Sequence, residues 1–370
     1  MHRPDDRFSS WTGEDSCGWR GVACDDATGH VTKLDLRYRY AYSMEDEYYT
    51  LKTMGGSKVN PSLQRLKHLK YLDLSMISSL VHLEYLNLSH AMFDGPIPPR
   101  FGNLSNLRYL DLQGWYGYYH LRVDDLEWLT RIPSLKYLDM SEANLSNATN
   151  WLYTVNSIPK LRVLCLSDAN LPSVPSPLPP FNLTAMARLD LSKNYNIMAT
   201  MLRWLSNATS LDTLIFLAIC SITGQIPPSV GNLTELEYLD LSSNNVVGSI
   251  PETIGSMVHL ETLNLFDNSV AGQLPETMGR LHCLKSLDIA YNELSGQLPT
   301  TMGDLCNLTL LDLSYNNIAG ELTDLLSGLS TCSRGSSLLS LFMKGNNLSG
   351  IIPSSMGQLS QLQFQCLICP

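Results

Sequence analysis

What most restricts this chain is that it copies itself. A short apolar strand signal, Leu-x-Leu in its commonest form, recurs with its first position at 34, 72, 86, 110, 138, 164, 189, 214, 239, 263, 287, 311, 341 and 365, where Gln365 stands in place of Leu. From 86 onward the spacings are 24, 28, 26, 25, 25, 25, 24, 24, 24, 30 and 24 residues. A near-constant period of this size belongs to stacked supersecondary units, each burying its apolar face against the next, and not to a globule with one central core. Within one unit Leu239 and Leu241 alternate with Asp240, the period-two pattern of a strand with one buried face.

The rest of the unit is equally regular. An Asn follows the strand at a fixed offset, at Asn194, Asn244, Asn268, Asn292, Asn316 and Asn346. A buried amide there can bond the backbone of its own coil and of the adjacent one, satisfying polar groups that the turn leaves exposed to an apolar interior. A Gly-x-Ile/Leu-Pro element comes next, at Gly95-Pro-Ile-Pro98, Gly224-Gln-Ile-Pro227, Gly248-Ser-Ile-Pro251, Gly272-Gln-Leu-Pro275, Gly296-Gln-Leu-Pro299 and Gly350-Ile-Ile-Pro353. Glycine permits the tight path and proline stiffens the return. In this combination the chain resembles the plant-specific class of extracellular leucine-rich repeats, over nearly its whole length. The resemblance implies an α/β-type repeat solenoid, a right-handed superhelix with a parallel β-sheet on its concave face and short 3-10 or turn segments on its convex face.

The amino end extends the resemblance. Trp11-Thr-Gly-Glu-Asp-Ser-Cys17-Gly-Trp19-Arg-Gly21-Val22-Ala-Cys24 looks like the second half of the plant repeat-capping domain, so residues 1–33 read as a partial cap and 34–370 as the solenoid of about 13 to 14 coils. The family carries two adjacent cysteines where Ser16-Cys17 stand, which implies a Cys17–Cys24 disulfide without the second bond of the cap. The step from 72 to 86 is 14 residues, about ten short of a full coil, so strands near 72–74 and 86–88 are not expected both to stack regularly. No closing cap is recognisable after the last repeat, and the chain reads as a truncated member of its class.

Charge and composition narrow the function. The net charge is −10, the wrong sign for tracking nucleic-acid phosphates. No apolar stretch approaches the roughly 18 residues of a membrane span, and the first residues lack the apolar core of a secretory signal. Nine Asn-x-Ser/Thr acceptors nevertheless point outside the cell: Asn87, Asn103, Asn144, Asn147, Asn182, Asn207, Asn232, Asn307 and Asn347. Asn-Leu-Ser/Thr also arises from the repeat consensus. Cys306 and Cys332 bracket the 30-residue repeat, and a disulfide between them would tie down its six extra residues. Cys220 falls at or beside the Asn position, Cys165 faces outward, and the pairing of Cys165, Cys220, Cys283, Cys366 and Cys369 is left open. The histidines (His30, His68, His82, His90, His120, His259 and His282) are scattered, and no zinc spacing, phosphate-cradling loop or nucleophile motif is present. The chain reads as a non-enzyme with neither cofactor nor metal.

Two outward rows are the candidates for binding. Asp35, Asp73, Asp111, Asp139, Asp190, Asp240, Asp288 and Asp312 follow the first Leu of their strands. Such an Asp is usual for the plant class, so this row reads first as structural and second as an acidic stripe for a basic ligand. Tyr71, Tyr85, Tyr109, Tyr137 and Tyr238 precede the first Leu, and Trp115, Tyr116, Tyr118 and Tyr119 lie in an irregular segment. Aromatic residues with a polar end are enriched at binding hot spots, although they can equally pack on their own coil. The expected ligand face is Tyr85, Tyr109, Asp111, Trp115, Tyr116 and Tyr137. The resemblance implies a fragment of a plant receptor-like protein of the elicitor-responding type, placed at the extracellular face of the plasma membrane, binding a protein or peptide and recruiting a co-receptor kinase in defence or growth signalling. A soluble inhibitor of wall enzymes, resembling the polygalacturonase inhibitors, and a non-functional gene fragment are the alternatives.

Overall fold

Leucines that alternate along the chain become short strands, and the repeat stacks them. The computed structural model describes residues 15–35, 80–90, 95–114, 121–174, 176–195, 200–216, 222–333 and 335–366. The chain divides into two compact units, Met1–Leu183 and Thr184–Pro370. Both are built as leucine-rich-repeat solenoid.

In the first unit Val22–Cys24 pairs antiparallel with Val31–Asp35, and a disulfide joins Cys17 to Cys24 at a Cα separation of 5.6 Å. Parallel strands Tyr85–Asn87, Tyr109–Asp111, Tyr137–Asp139 and Val163–Cys165 follow in unbroken register, with Leu34, Leu86, Leu110, Leu138 and Leu164 as direct neighbours. All five are buried. The partner of Val31–Asp35 is therefore the strand at Leu86, which stacks regularly. The strand expected near Leu72, with Tyr71 and Asp73, lies outside the described residues.

In the second unit the strands Arg188–Asp190, Thr213–Ile215, Tyr238–Asp240, Thr262–Asn264, Ser286–Asp288, Leu310–Asp312, Ser340–Phe342 and Phe364–Cys366 form the corresponding parallel sheet. The Gly-x-Ile/Leu-Pro segments add a second parallel sheet, running from Thr223–Gln225 through Asn245–Gly248, Ser269–Gly272, Glu293–Gly296 and Asn317–Gly320 to Asn347–Leu348. Opposite the strands lie 3-10 helices such as Pro228–Asn232, Glu252–Ser256, Glu276–Arg280 and Thr300–Asp304. The expected short 3-10 segments on this face are present, and three coils carry a short α-helix there instead. Trp151–Asn156, Thr200–Leu205 and Thr323–Ser330 are α-helical, and they sit in coils of 26, 25 and 30 residues. An α-helix rises about 1.5 Å per residue against about 2.0 Å in a 3-10 helix, so it stores extra residues in the same length. In the longest coil a Cys306–Cys332 disulfide spans the Thr323–Ser330 helix, with a Cα separation of 5.7 Å.

Neighbouring coils approach closely on the helix side because glycine lets them. A Cβ built at Gly255 would lie 2.5 Å from the Thr277 carbonyl oxygen, and one at Gly231 would lie 2.4 Å from that of Thr253. The threonines complete the contact by donating back: Thr253 Oγ1 to the Pro228 carbonyl at 2.6 Å, Thr277 to Glu252 and Thr301 to Glu276, both at 2.7 Å.

The asparagine ladder carries the interior polar contacts. Asn244 donates from Nδ2 to the carbonyls of Leu241 and Ser242 in its own coil and of Phe216 in the preceding one. Its Oδ1 accepts the Ile222 N–H at 3.2 Å. Asn268, Asn292 and Asn316 repeat the arrangement. Asn346 accepts from Ile318 N–H and donates to Leu313 and Met343, and Asn194 donates to Leu191 and Ser192. Just before these asparagines the chain turns through left-handed φ at Lys193, Ser243, Asp267, Tyr291 and Tyr315, with Gly345 last. That turn aims the amide inward.

Candidate functional site

The register of the first sheet places Tyr85, Tyr109 and Tyr137 side by side, and their rings stack. Centroids are 4.2 and 4.1 Å apart, with planes inclined by 11° and 12°. Lys33 Nζ stands 4.7 Å over the Tyr85 ring and closes that end. Offset stacking and a cation on the terminal face are both favourable for aromatic quadrupoles. The faces of these rings are thus used by one another, and their edges are left half-exposed.

Behind the ring row lie the aspartates. Asp111 is only 7% exposed. Its Oδ2 accepts from Asn87 Nδ2 at 2.9 Å and from the Tyr109 hydroxyl at 3.3 Å, and its Oδ1 accepts the Gln113 N–H at 3.1 Å. Tyr137 and Tyr238 likewise donate to Asp139 and Asp240. Burial pushes the Asp111 carboxyl up, against the pull of the Gln113 N–H and the Tyr109 hydroxyl. Burial, then the adjacent carboxylate, raise the hydroxyls of Tyr109, Tyr137 and Tyr238. Each tyrosine therefore keeps its proton and donates it to the aspartate beside it.

This corrects two expectations. Asp111 is a brace and not an outward ligand group. The acidic stripe is also covered at Asp111, Asp139 and Asp240, all buried. Their Oδ1 atoms accept the N–H two residues on, as Asp190, Asp288 and Asp312 also do. The short side chain closes the turn at the strand end, which is the Asx geometry that favours Asp or Asn there. Trp115 and Tyr116, with Tyr118 and Tyr119, lie outside the described residues.

Depth also sorts the glycan acceptors. Asn87 is 1% exposed and serves as the Asx residue of its own strand, accepting from Ser89. A glycan on Nδ2 would have to occupy core volume next to Asp111, so the acceptor reading of Asn87 is withdrawn. Asn103, Asn147, Asn182, Asn207, Asn232, Asn307 and Asn347 are exposed and Asn144 is half-exposed. Cys165 is 7% exposed; the outward thiol that alternation implied is covered by its neighbours. Cys220 and Cys369 lie outside the described residues.

The comparisons agree with this architecture. Residues 1–25 match the leucine rich repeat N-terminal domain, and 82–104, 235–257, 259–281, 283–305, 307–329 and 337–359 match the Leucine Rich Repeat. Receptor-like protein EIX1 of Solanum lycopersicum is 35% identical over 257 residues, covering 65% of this chain and 24% of its own length. Receptor-like protein EIX2 of the same plant is 35% identical over 273 residues, 64% and 24%. The chain carries the Leucine Rich Repeat and is similar to the receptor-like proteins of plants. It spans about a quarter of the length of the curated receptor-like relatives it matches. Among solved structures, a TDR receptor superposes with a TM-score of 0.67 at 28% identity, covering 78% of this chain and 47% of that one. The Arabidopsis receptor kinase HAESA, crystallised with the peptide hormone IDA and the co-receptor SERK1, gives 0.58 at 25% identity, covering 97% and 62%.

Within this receptor-like family setting, period-two reasoning missed one row. Phe266, Tyr291 and Tyr315 form a second aromatic cluster in the second unit, at or beside the left-handed position and not on the strand. The available signal was Tyr directly before a ladder Asn, in Tyr291-Asn292 and Tyr315-Asn316. Among the described residues no helix is long and apolar enough to cross a membrane, and no group of His, Cys, Asp or Glu could hold a metal ion.

Proposed function

We propose that this chain is a ligand-recognition segment of a plant receptor-like protein that takes up an extracellular protein or peptide on the exposed face of its strand sheet, and performs no catalysis. The observation that carries the reading is the Tyr85–Tyr109–Tyr137 ladder. Three large amphipathic side chains are held in one rigid row by stacking and by buried carboxylates, so little side-chain entropy remains to be lost when a partner arrives. Extracellular placement is supported by the disulfides and by the exposed glycan acceptors. The peptide- and co-receptor-bound state of HAESA supports a peptide ligand and a co-receptor partner.

The test is secretion followed by binding. The 370-residue chain, expressed behind a signal peptide in plant cells, is expected to emerge glycosylated and protease-resistant. Displayed against a library of secreted plant and microbial peptides, it should select binders whose affinity drops at least about tenfold in Tyr109→Ala, the scale of an interface hot spot. Tyr109→Phe keeps the stack and should retain most of the affinity. Retention inside the cell, or binders indifferent to Tyr85, Tyr109 and Tyr137, would overturn the proposal.

A further inference from the structure

Two exposed tyrosines of the second unit stand together. Tyr291 and Tyr315 are 48% and 39% exposed and occupy the same position on adjacent coils, at φ of 54° and 55°. Their rings stack 4.4 Å apart, Phe266 meets Tyr291 edge-on at 5.4 Å, and Lys344 Nζ lies 5.8 Å from the Tyr315 centroid. Gly345 makes room for this arrangement, because a Cβ there would come within 2.8 Å of Tyr315 Cδ1. The left-handed position belongs to the ladder turn, which Lys193, Ser243 and Asp267 adopt as well, so the fold itself fixes where the two rings stand.

Acidic groups surround the rings. Asp267 holds the same left-handed position one coil before Tyr291 and is exposed, as is Glu293, two residues after Tyr291. Asp288 and Asp312 are direct partners across adjacent strands, and Asp312 lies within electrostatic reach of Tyr291. With the ring faces turned to each other and Lys344 near the outer one, the ring edges of these exposed residues meet solvent. That surface matches a guanidinium group, whose planar fork donates to hydroxyl and carboxylate oxygens while its methylene stem lies on apolar edges.

We propose that Phe266, Tyr291 and Tyr315, flanked by Asp267, Asp288 and Asp312, form a docking site for an arginine-bearing segment of a polypeptide partner. The site belongs to the second unit alone and is independent of the Tyr85–Tyr109–Tyr137 row. Fluorescence anisotropy on the secreted 370-residue chain tests it, with labelled hexa-arginine and hexa-glutamate peptides at about 0.15 M salt, where exposed charges are screened beyond roughly 8 Å. Hexa-arginine should bind and hexa-glutamate should not. The Tyr291→Ala/Tyr315→Ala pair should weaken hexa-arginine at least about tenfold, Asp267→Asn/Asp312→Asn comparably, and Tyr153→Ala/Tyr195→Ala, at two exposed tyrosines outside both rows, not at all. If the alanine pair lowers thermal stability, Tyr291→Phe/Tyr315→Phe preserves the stack and removes the hydroxyls, with an expected loss of about threefold. Equal hexa-arginine affinity in both tyrosine pairs would mean diffuse attraction to an acidic chain and would overturn the site, as would binding of hexa-glutamate.

Discussion

Removing one rung of the asparagine ladder should open the solenoid locally. Asn292 is 8% exposed. Its Nδ2 donates to the carbonyls of Leu265, Ile289 and Ala290 at 2.8, 3.2 and 3.2 Å, and its Oδ1 accepts the Val270 N–H at 2.9 Å. Asn292→Ala strands the Val270 donor beside a buried side chain, at a cost of about 1–3 kcal/mol. Loss of the two side-chain N–H groups leaves those carbonyls without their donors and adds about 0.5–1.5 kcal/mol for each. The sum is about 2–6 kcal/mol, and its middle, about 4 kcal/mol, corresponds to roughly a thousandfold in an opening equilibrium. Because each coil is held mainly by its neighbours, the effect should stay near the coils of Leu263 and Leu287 and not spread along the array. Hydrogen exchange read at the Val270 amide is the direct assay, since global denaturation of a long repeat array need not be two-state. Asn292→Asp is the decisive companion. It keeps an oxygen for Val270 but points a second oxygen at three carbonyls, so at pH 7 it should be at least as damaging as alanine. Val270 protection within about tenfold of wild type in Asn292→Ala, or wild-type behaviour of Asn292→Asp, would refute the reasoning.

Four further outcomes follow. Gly255→Ala forces a methyl against the Thr277 carbonyl and should cost about 1–3 kcal/mol as overpacking. Gly357→Ala, at the matching position of a later coil with no atom within 4 Å of the added Cβ, should be near neutral by thermal melting. Replacing Cys306 and Cys332 by serine releases a loop of sequence separation 26; chain entropy puts the loss at about 3.5 kcal/mol, read as protease cutting near 323–335 that the oxidised chain resists. Burial, reinforced by Asp312 and Asp240, pushes Asp288 up to about 6 from an ordinary 3.8. A carboxyl raised in the folded state stabilises fully below the lower value and loses that contribution as pH rises through the upper one. Discounted for its partial exposure, the loss between pH 4 and 7 is about 1 kcal/mol, and Asp288→Asn should show a flatter dependence of melting midpoint on pH. Peptide mass spectrometry of secreted chain should find glycans at Asn103, Asn232 and Asn307 and none at Asn87.

Much of the architecture is legible in the chain because its contacts are local. Strand, ladder asparagine and Gly-x-Ile/Leu-Pro segment sit at fixed offsets, and a coil meets copies of itself about 24 residues away. Period and residue type therefore suffice for Leu239, Asn244 and Gly248. They say less where the repeat itself is irregular: spacing alone does not tell that Leu86 is the direct neighbour of Leu34. They also say little about convex segments: coils of 25 residues carry an α-helix at Thr200–Leu205 and a 3-10 helix at Pro228–Asn232.

The candidate site was legible in one dimension and not in the other. Alternation assigns a face, and it placed Tyr85, Tyr109 and Tyr137 correctly in one row. It does not assign depth. Asp111, Asn87 and Cys165 also follow a strand leucine, yet all three are buried, because the neighbouring coil covers that end of the strand while the strand start stays open. The position of Tyr291 and Tyr315 depends on a left-handed turn whose direction only the packed ladder sets. Side chain and period are properties of the chain itself; accessibility is a property of what stacks on it.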